Sequence, residues 1–96
     1  MSQKNIYQRT LEIWSDEHQI LQTVEEMSEL TKAILKNINR KKDNVAEIIE
    51  ETADVEIMLE QLKCCYHITD QVEAYKKEKL KKIEKRLDDW ENGHEK

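Results

Sequence analysis

The chain has little of what a β-sheet protein requires. Its 96 residues include no proline, no phenylalanine and a single glycine, Gly93, close to the C-terminus. Sheets need turns rich in glycine and proline between short strands, and this sequence offers almost none. Charged residues make up 39% of the chain and alternate with leucine, isoleucine, valine and methionine, a composition typical of amphipathic helices. We therefore predict an all-α fold.

Other absences narrow the class of protein. The longest uninterrupted apolar run is three residues, which is too short for a membrane span or a signal peptide. The net charge of −5 argues against a general nucleic-acid-binding protein. Cys64 and Cys65 are the only cysteines, and because they are adjacent a disulfide between them would strain a helix. We expect a soluble cytoplasmic protein that binds neither nucleic acid nor membrane.

Apolar periodicity predicts one short helix and three long ones in a single domain of residues 1–96. The short helix covers Ile6–Trp14, and Ser15 is a good N-cap for a second helix that runs to about Ile38. The third helix follows a polar loop, Asn37–Asn44, with Asp43 or Asn44 as its cap, and runs to Tyr66. The last begins at a Thr69 or Asp70 cap and ends at Trp90. Residues 1–5 and 92–96 are expected to be frayed termini.

Short loops between helices predict an antiparallel helical bundle, because they make consecutive helices neighbours. The second helix carries an apolar stripe that should face the other helices: Leu21, Val24, Met27, Thr31, Ile34 and Ile38. Three main helices leave one apolar flank open. We therefore expect the bundle to be completed by oligomerisation.

Two acidic pairs stand on the second and third helices, Glu26 with Glu29 and Glu51 with Asp54. Other acidic pairs have the same spacing, so the spacing alone is also what a solvated helix face would show. The position of the pairs is more informative. Glu26 and Asp54 are equally distant in sequence from Arg40, in the middle of the predicted loop, and so are Glu29 and Glu51. In an antiparallel hairpin, all four carboxylates should converge at one height.

Converging carboxylates repel one another and are costly to desolvate unless a cation neutralises them. Oxygen-only ligands favour magnesium, manganese or calcium. A di-iron site is the rival interpretation, but it requires Glu-x-x-His pairs on facing helices, and the only such spacing is Glu91 with His94 near the C-terminus.

A basic segment, Lys76–Arg86, contains seven cationic residues. A second hairpin that turns near Ile68 would place Lys82 level with Asp54, and Lys79 and Arg86 on the stripe that faces the bundle. Such cations could bind triphosphate oxygens beside a metal. The alternative is a set of lysines that extend along the surface and pair with the acidic third helix.

The sequences Glu25-Glu26-Met27-Ser28-Glu29 and Glu51-Thr52-Ala53-Asp54 resemble the motif of the MazG-type all-α NTP pyrophosphohydrolase superfamily, which includes dimeric dUTPases and dCTP pyrophosphatases. The resemblance extends upstream to Gln19 and downstream to Lys79, Lys82 and Arg86. One departure is Ser15, which follows Trp14 where related chains often carry glycine.

The resemblance implies hydrolysis of a (d)NTP to a (d)NMP and pyrophosphate. It implies Mg²⁺, or Mn²⁺ in its place, with four ligands: Glu26, Glu29, Glu51 and Asp54. It also implies that Gln19, Lys79, Lys82 and Arg86 contact the substrate, and that the protein forms a homodimer or a dimer of dimers. Glu25 or another spare carboxylate would accept the proton of the attacking water.

Three alternatives stay open at this level. The chain could be a non-catalytic helical interaction module, a regulatory protein that binds nucleotides without turnover, or a phosphoribosyl-ATP pyrophosphatase. Tyr7 and Trp14 could stack on a base or pack in the core. No residue identifies the base or the sugar.

Overall fold

The computed structural model describes the backbone of residues 3–93 and the side chains from Ile6 to Gly93. Every regular element within this part of the chain is an α-helix, which confirms the predicted all-α class. The helices are α1 (Gln3–Ile13), α2 (Asp16–Asn39), α3 (Val45–Tyr66) and α4 (Thr69–Glu91).

Most predicted boundaries are correct to within one or two residues, and the largest difference is at the start of α1. This helix begins at Gln3, three residues before the expected start, since Gln3–Asn5 contains no residue that breaks a helix. Residues 3–5, which were predicted to belong to a frayed terminus, form the first turn of α1. Residues 1–2 and 94–96, including His94, lie outside the described residues. Asn92 and Gly93 form a turn after α4.

The helix ends confirm one of the three predicted caps. The Ser15 side-chain oxygen accepts a hydrogen bond of 3.1 Å from the His18 backbone N–H, which caps α2. Asn44 precedes α3 but its side chain does not cap the helix. The predicted cap at Thr69 or Asp70 is wrong, because α4 already begins at Thr69 and follows Ile68.

His67 ends α3 in the left-handed conformation, with φ 56° and ψ 47°. The His67 and Ile68 backbone N–H groups return to the last turn of α3, where they donate to the carbonyl oxygens of Cys64 and Lys63. This arrangement satisfies carbonyl groups that have no partner further along the helix. The left-handed residue therefore sets the direction in which the chain enters α4.

Helices α2 and α3 form an antiparallel hairpin that contains all of the buried side chains in the described part of the chain. The fully buried Ala33 lies in α2, and Val55 and Met58 lie in α3. At the closed end, the Asn44 side chain donates to the Ala33 carbonyl oxygen at 3.0 Å and to the Glu47 carboxylate at 2.9 Å. These contacts hold the start of α3 against the end of α2.

The predicted packing face of α2 is wrong. Its apolar stripe points to solvent, with exposures of 62% for Leu21, 56% for Val24 and 60% for Ile38. The side that packs against α3 instead carries Gln19, Thr23 and Ala33. Small or hydrogen-bonded side chains in this row allow the two helices to approach, so polarity alone does not identify the buried face.

A chain of buried amides joins three helices. Gln19 Nε2 in α2 donates to Gln61 Oε1 in α3 at 2.6 Å, and Gln61 Nε2 donates to the Thr10 hydroxyl in α1. Thr10 in turn donates to the Tyr7 carbonyl oxygen at 2.7 Å. Because Gln19 and Gln61 are almost fully buried, each amide depends on the other for its hydrogen bonds.

Helix α4 has no buried residue. Only Val72 and Asp89 are half-buried, and all its other side chains are exposed. Its attachment to α3 includes Lys63, whose ammonium group lies 2.7 Å from the Glu60 carboxylate and 3.2 Å from that of Glu73. Among the helices of residues 3–93, none is long and apolar enough to cross a membrane.

We expect Gln61→Leu to lower the free energy of unfolding by about 1–3 kcal/mol, because it leaves the buried Gln19 amide without its partner. The double variant Gln19→Leu/Gln61→Leu should recover part of that loss, since it removes both polar groups. Urea denaturation measures both changes. Gln71→Leu, at an exposed position, is the control. Additive losses in the double variant would show that the two amides are not coupled.

Candidate metal site

Three carboxylates converge on one side of the α2–α3 hairpin. Glu26 comes from α2, and Glu51 and Asp54 come from α3. One oxygen atom from each lies within 4.8 Å of the others. All three side chains are half-buried. Glu26 and Asp54 stand about two helical turns from Gln19 and Gln61 respectively, so the hydrogen-bonded amides and the acidic pair share one register.

The convergence raises the pKa of two of these acids. The pKa of Glu26 is raised, first because burial disfavours its charged form and then because Asp54 and Glu25 repel it. The pKa of Glu51 is also raised, again first by burial and then by Glu26 and Asp54. The neighbouring carboxylates therefore disfavour ionisation of Glu26 and Glu51. A bound cation would reverse this effect by stabilising all of the charges together.

Glu51 carries the least satisfied oxygen of the group. Its Oε2 atom is buried and has no hydrogen-bond partner among the described residues. A buried carboxylate oxygen without a donor is costly, and a cation is one way to compensate it. The donors at the site are carboxylate oxygens, which suit a hard divalent cation such as Mg²⁺ or Mn²⁺. Glu26, Glu51 and Asp54 thus fit the metal that the sequence predicts.

Glu29, the fourth predicted ligand, lies outside this group of three. Its side chain is exposed, and its carboxylate lies 3.4 Å from the Lys32 ammonium group on the next turn of α2. Its charge nevertheless contributes to the raised pKa of both Glu26 and Glu51. Glu29 is therefore a neighbour of the site, directed towards Lys32. Glu25 is also exposed and raises the pKa of Glu26.

The predicted substrate-binding residues are not brought to the carboxylates. The Gln19 side chain is buried, and its amide oxygen also lies 2.9 Å from His18 Nδ1. Lys79, Lys82 and Arg86 are exposed on α4. The expectation that Lys82 lies level with Asp54, with Lys79 and Arg86 on the stripe that faces the bundle, assumed that α4 packs along the whole of α3. In the structure, α4 has no buried residue and makes few contacts with α3.

A small cavity of about 240 Å³ adjoins the acidic group. Three of its lining residues were not predicted from the sequence to belong to the site. Gln22, Ile57 and Met58 line it together with Glu26 and Asp54. The Gln22 side chain hydrogen-bonds Glu26, which partly offsets the rise in the pKa of that acid. The sequence spacing could have identified these lining residues. Gln22 precedes Glu26 by four residues, and Ile57 and Met58 follow Asp54 by three and four. Side chains at this spacing are neighbours on a helix.

Tyr7 and Trp14 occupy different surroundings. Tyr7 is half-buried between α1 and α3, beside a larger groove. Trp14 is half-exposed and stacks on His18, with ring centroids 6.4 Å apart. Trp14 is therefore on the surface at the α1–α2 elbow, and the core position considered for it is wrong.

Comparison of the chain with protein-family models, with curated proteins and with solved structures gives no match. The resemblance to the MazG-type superfamily consequently rests on the sequence motifs alone.

The raised pKa of Glu51 predicts how stability changes with pH in the presence of a chelator. An acid whose pKa is higher in the folded state contributes stability at low pH, and loses it as pH rises through that pKa. Glu51→Gln removes the titrating group. We therefore expect its melting temperature to exceed that of the wild type near neutral pH, and the difference to shrink as pH falls towards the ordinary value of 4.5.

Thermal melts of both proteins across this pH range measure the difference. Glu84→Gln, a substitution at an exposed position, is the control. A wild-type protein that is more stable than Glu51→Gln at neutral pH without metal would contradict the repulsive character of the site.

Proposed function

We propose that the protein is a Mg²⁺-dependent nucleoside triphosphate pyrophosphohydrolase, which converts a (d)NTP and water to a (d)NMP and pyrophosphate. The observation that carries the proposal is the convergence of Glu26, Glu51 and Asp54, with the Glu51 Oε2 atom buried and without a partner. The acidic motifs shared with the MazG-type superfamily support the reaction class.

The residues that would hold Mg²⁺ are Glu26, Glu51 and Asp54. When bound, the metal ion supplies charge neutralisation for phosphate oxygens and lowers the pKa of a coordinated water. In the overall reaction, the water oxygen forms a bond to phosphorus and the α–β phosphoanhydride bond breaks. Pyrophosphate leaves with the electron pair of that bond. The proton of the water passes to a carboxylate, for which the exposed Glu25 beside Glu26 is the proposed acceptor.

Glu29 completes the ligand set in this proposal. Its ion pair with Lys32 is exposed, with side-chain exposures of 49% for Glu29 and 63% for Lys32. Exposed pairs of this kind contribute about 1 kcal/mol or less, so a divalent cation can compete for the carboxylate. Glu29 would then turn from Lys32 towards Glu26, which precedes it by one turn of α2.

Substrate contacts and assembly are part of the same proposal. Lys79, Lys82 and Arg86 supply positive charge on α4 for triphosphate oxygens, and a homodimer or a dimer of dimers is the proposed form in which they reach the carboxylates. The exposed apolar residues of α2, such as Leu21, Val24 and Ile38, support association with a second copy. In a single chain, α4 lies apart from the acidic site.

Pyrophosphate release from a panel of ribo- and deoxynucleoside triphosphates tests the reaction class. We expect release with Mg²⁺ and none with a chelator. Asp54→Asn should reduce the rate at least about 100-fold, since even the loss of groups that only orient metal ligands costs about 10–100-fold. Glu50→Gln, an exposed acid on the same helix, is the matched control and should leave the rate nearly unchanged. Release that is independent of Mg²⁺, or unaffected by Asp54→Asn, would contradict the proposal.

A helical protein that binds a partner or a nucleotide without turnover is the second candidate. The exposed apolar side chains of α2 and α4 favour it, because such surfaces often mark interfaces. The two candidates are separated by combining activity with thermal melts. If the acidic site binds Mg²⁺, the ion at about 100 times its Kd should stabilise the fold by about 2.7 kcal/mol. Stabilisation without pyrophosphate release would support the second candidate.

A further inference from the structure

The small cavity beside the acidic site is lined on its α2 side by Gln22 and Glu26, which are four residues apart. Side chains at this spacing are neighbours on a helix. Gln22 is half-buried, as Glu26 is, and Asp54 of α3 lines the same cavity. The Gln22 amide therefore shares one cavity with two of the three converging carboxylates.

The residue next to Gln22 holds α2 against α3 at this height. Thr23 is 2% exposed, and its hydroxyl donates to the Gln19 carbonyl oxygen at 2.8 Å and lies 3.4 Å from the Met58 carbonyl oxygen. Met58 also lines the cavity. Because the two helices are in contact here, Gln22 and Glu26 extend from a packed backbone, and the contact between their side chains does not depend on a loop.

Gln22 carries the only side-chain N–H donor among the described residues that line the cavity. Its hydrogen bond to Glu26 acts against burial and against repulsion from Asp54, both of which raise the pKa of Glu26. A carboxylate offers about four acceptor positions, so one amide donor leaves the others available to a cation. The amide is also neutral, so it orients the carboxylate without placing a positive charge beside the metal.

The other acids near the site have different surroundings. The Glu29 carboxylate lies 3.4 Å from the Lys32 ammonium group, a charge that a metal ion would have to displace. The Oε2 atom of Glu51 is buried without a hydrogen-bond partner among the described residues. Glu26 is instead held by a neutral donor, an arrangement that suits a carboxylate prepared for a cation.

We propose that Gln22 is a positioning residue of the metal site, whose amide N–H holds the Glu26 carboxylate in the orientation in which it converges with Glu51 and Asp54. Gln22 itself supplies no ligand atom. The loss of groups that orient metal ligands typically lowers metal affinity about 10–100-fold. The inference rests on the proposed function for the presence of a divalent cation, and not for the hydrolysis.

The test measures the Mn²⁺ affinity of the full chain without nucleotide, from the electron paramagnetic resonance signal of the free ion. Gln22→Met keeps the length of the side chain and removes its donor, so we expect the Kd for Mn²⁺ to rise about tenfold. Ile57→Met changes the apolar wall of the same cavity and removes no donor, so this matched control should leave the Kd nearly unchanged. Thermal melts in a chelator check that each variant is folded.

A second background tests whether Gln22 acts through Glu26. Glu26→Asp keeps the negative charge but withdraws the carboxylate from Gln22 by one methylene group. Adding Gln22→Met to Glu26→Asp should therefore raise the Kd much less than it does in the wild type, because coupled residues are not additive. The same tenfold rise in both backgrounds would overturn the inference, and so would equal Kd values for the wild type and Gln22→Met.

Failure of the inference differs from failure of the proposed function. A wild-type protein that binds Mn²⁺ with a Kd unaffected by Gln22→Met would overturn the role of Gln22 and leave the proposed function intact. A wild-type protein that binds no Mn²⁺, or binds it equally well after Asp54→Asn, would refute the acidic metal site and the inference together. Mn²⁺ binding without pyrophosphate release would refute the hydrolysis alone, and the Gln22→Met comparison would still decide the inference.

Discussion

The packing of α2 against α3 is the constraint on which the rest of the molecule depends. The contact is close because the facing row of α2 carries alanine, threonine and glutamine in place of large aliphatic residues. Within it, the hydrogen bond between Gln19 and Gln61 acts as a directional contact, which an apolar seam lacks. A shift of one turn would separate the two amides and also move Glu26 away from Asp54. The same packing therefore sets both the polar core and the geometry of the acidic site.

The hairpin holds the carboxylates of the acidic site close together at a cost in free energy. Burial and mutual repulsion raise the pKa of Glu26 and Glu51, so the fold holds charges together that would otherwise separate. Such local costs are common where a binding site is built in advance of its ligand. Asp54 and Glu51 stand on the helix that also provides Val55 and Met58 to the core, so the carboxylates have limited freedom to move apart. In the proposed function, this arrangement of carboxylates would favour a small, highly charged cation.

Sequence reasoning predicted the hairpin and the convergence of four acids, of which the structure brings three together, because both follow from local rules. The polar segment around Arg40 locates the turn, and positions equidistant from it must face each other. The packing face of α2 could not be obtained in this way, since Leu21 and Val24 have a stronger apolar pattern than the Gln19 row that is buried. The direction of α4 was also beyond local rules, because it depends on the left-handed His67 and on few tertiary contacts. The contact between Glu29 and Lys32 depends on side-chain conformation, which the spacing of residues in the sequence does not predict.

The lack of buried side chains in α4 has a consequence for how the protein unfolds. The residues that exclude water belong to the α2–α3 hairpin, and α1 is joined to it by the amide chain, whereas α4 is attached mainly around its first turns. Regions with few apolar contacts open at lower free energy than the global transition. The chain is therefore expected to open in two steps, with α4 at the lower free energy and the boundary at His67. Its backbone amides would exchange with solvent in two classes, and the faster class would begin where the left-handed turn releases the last helix.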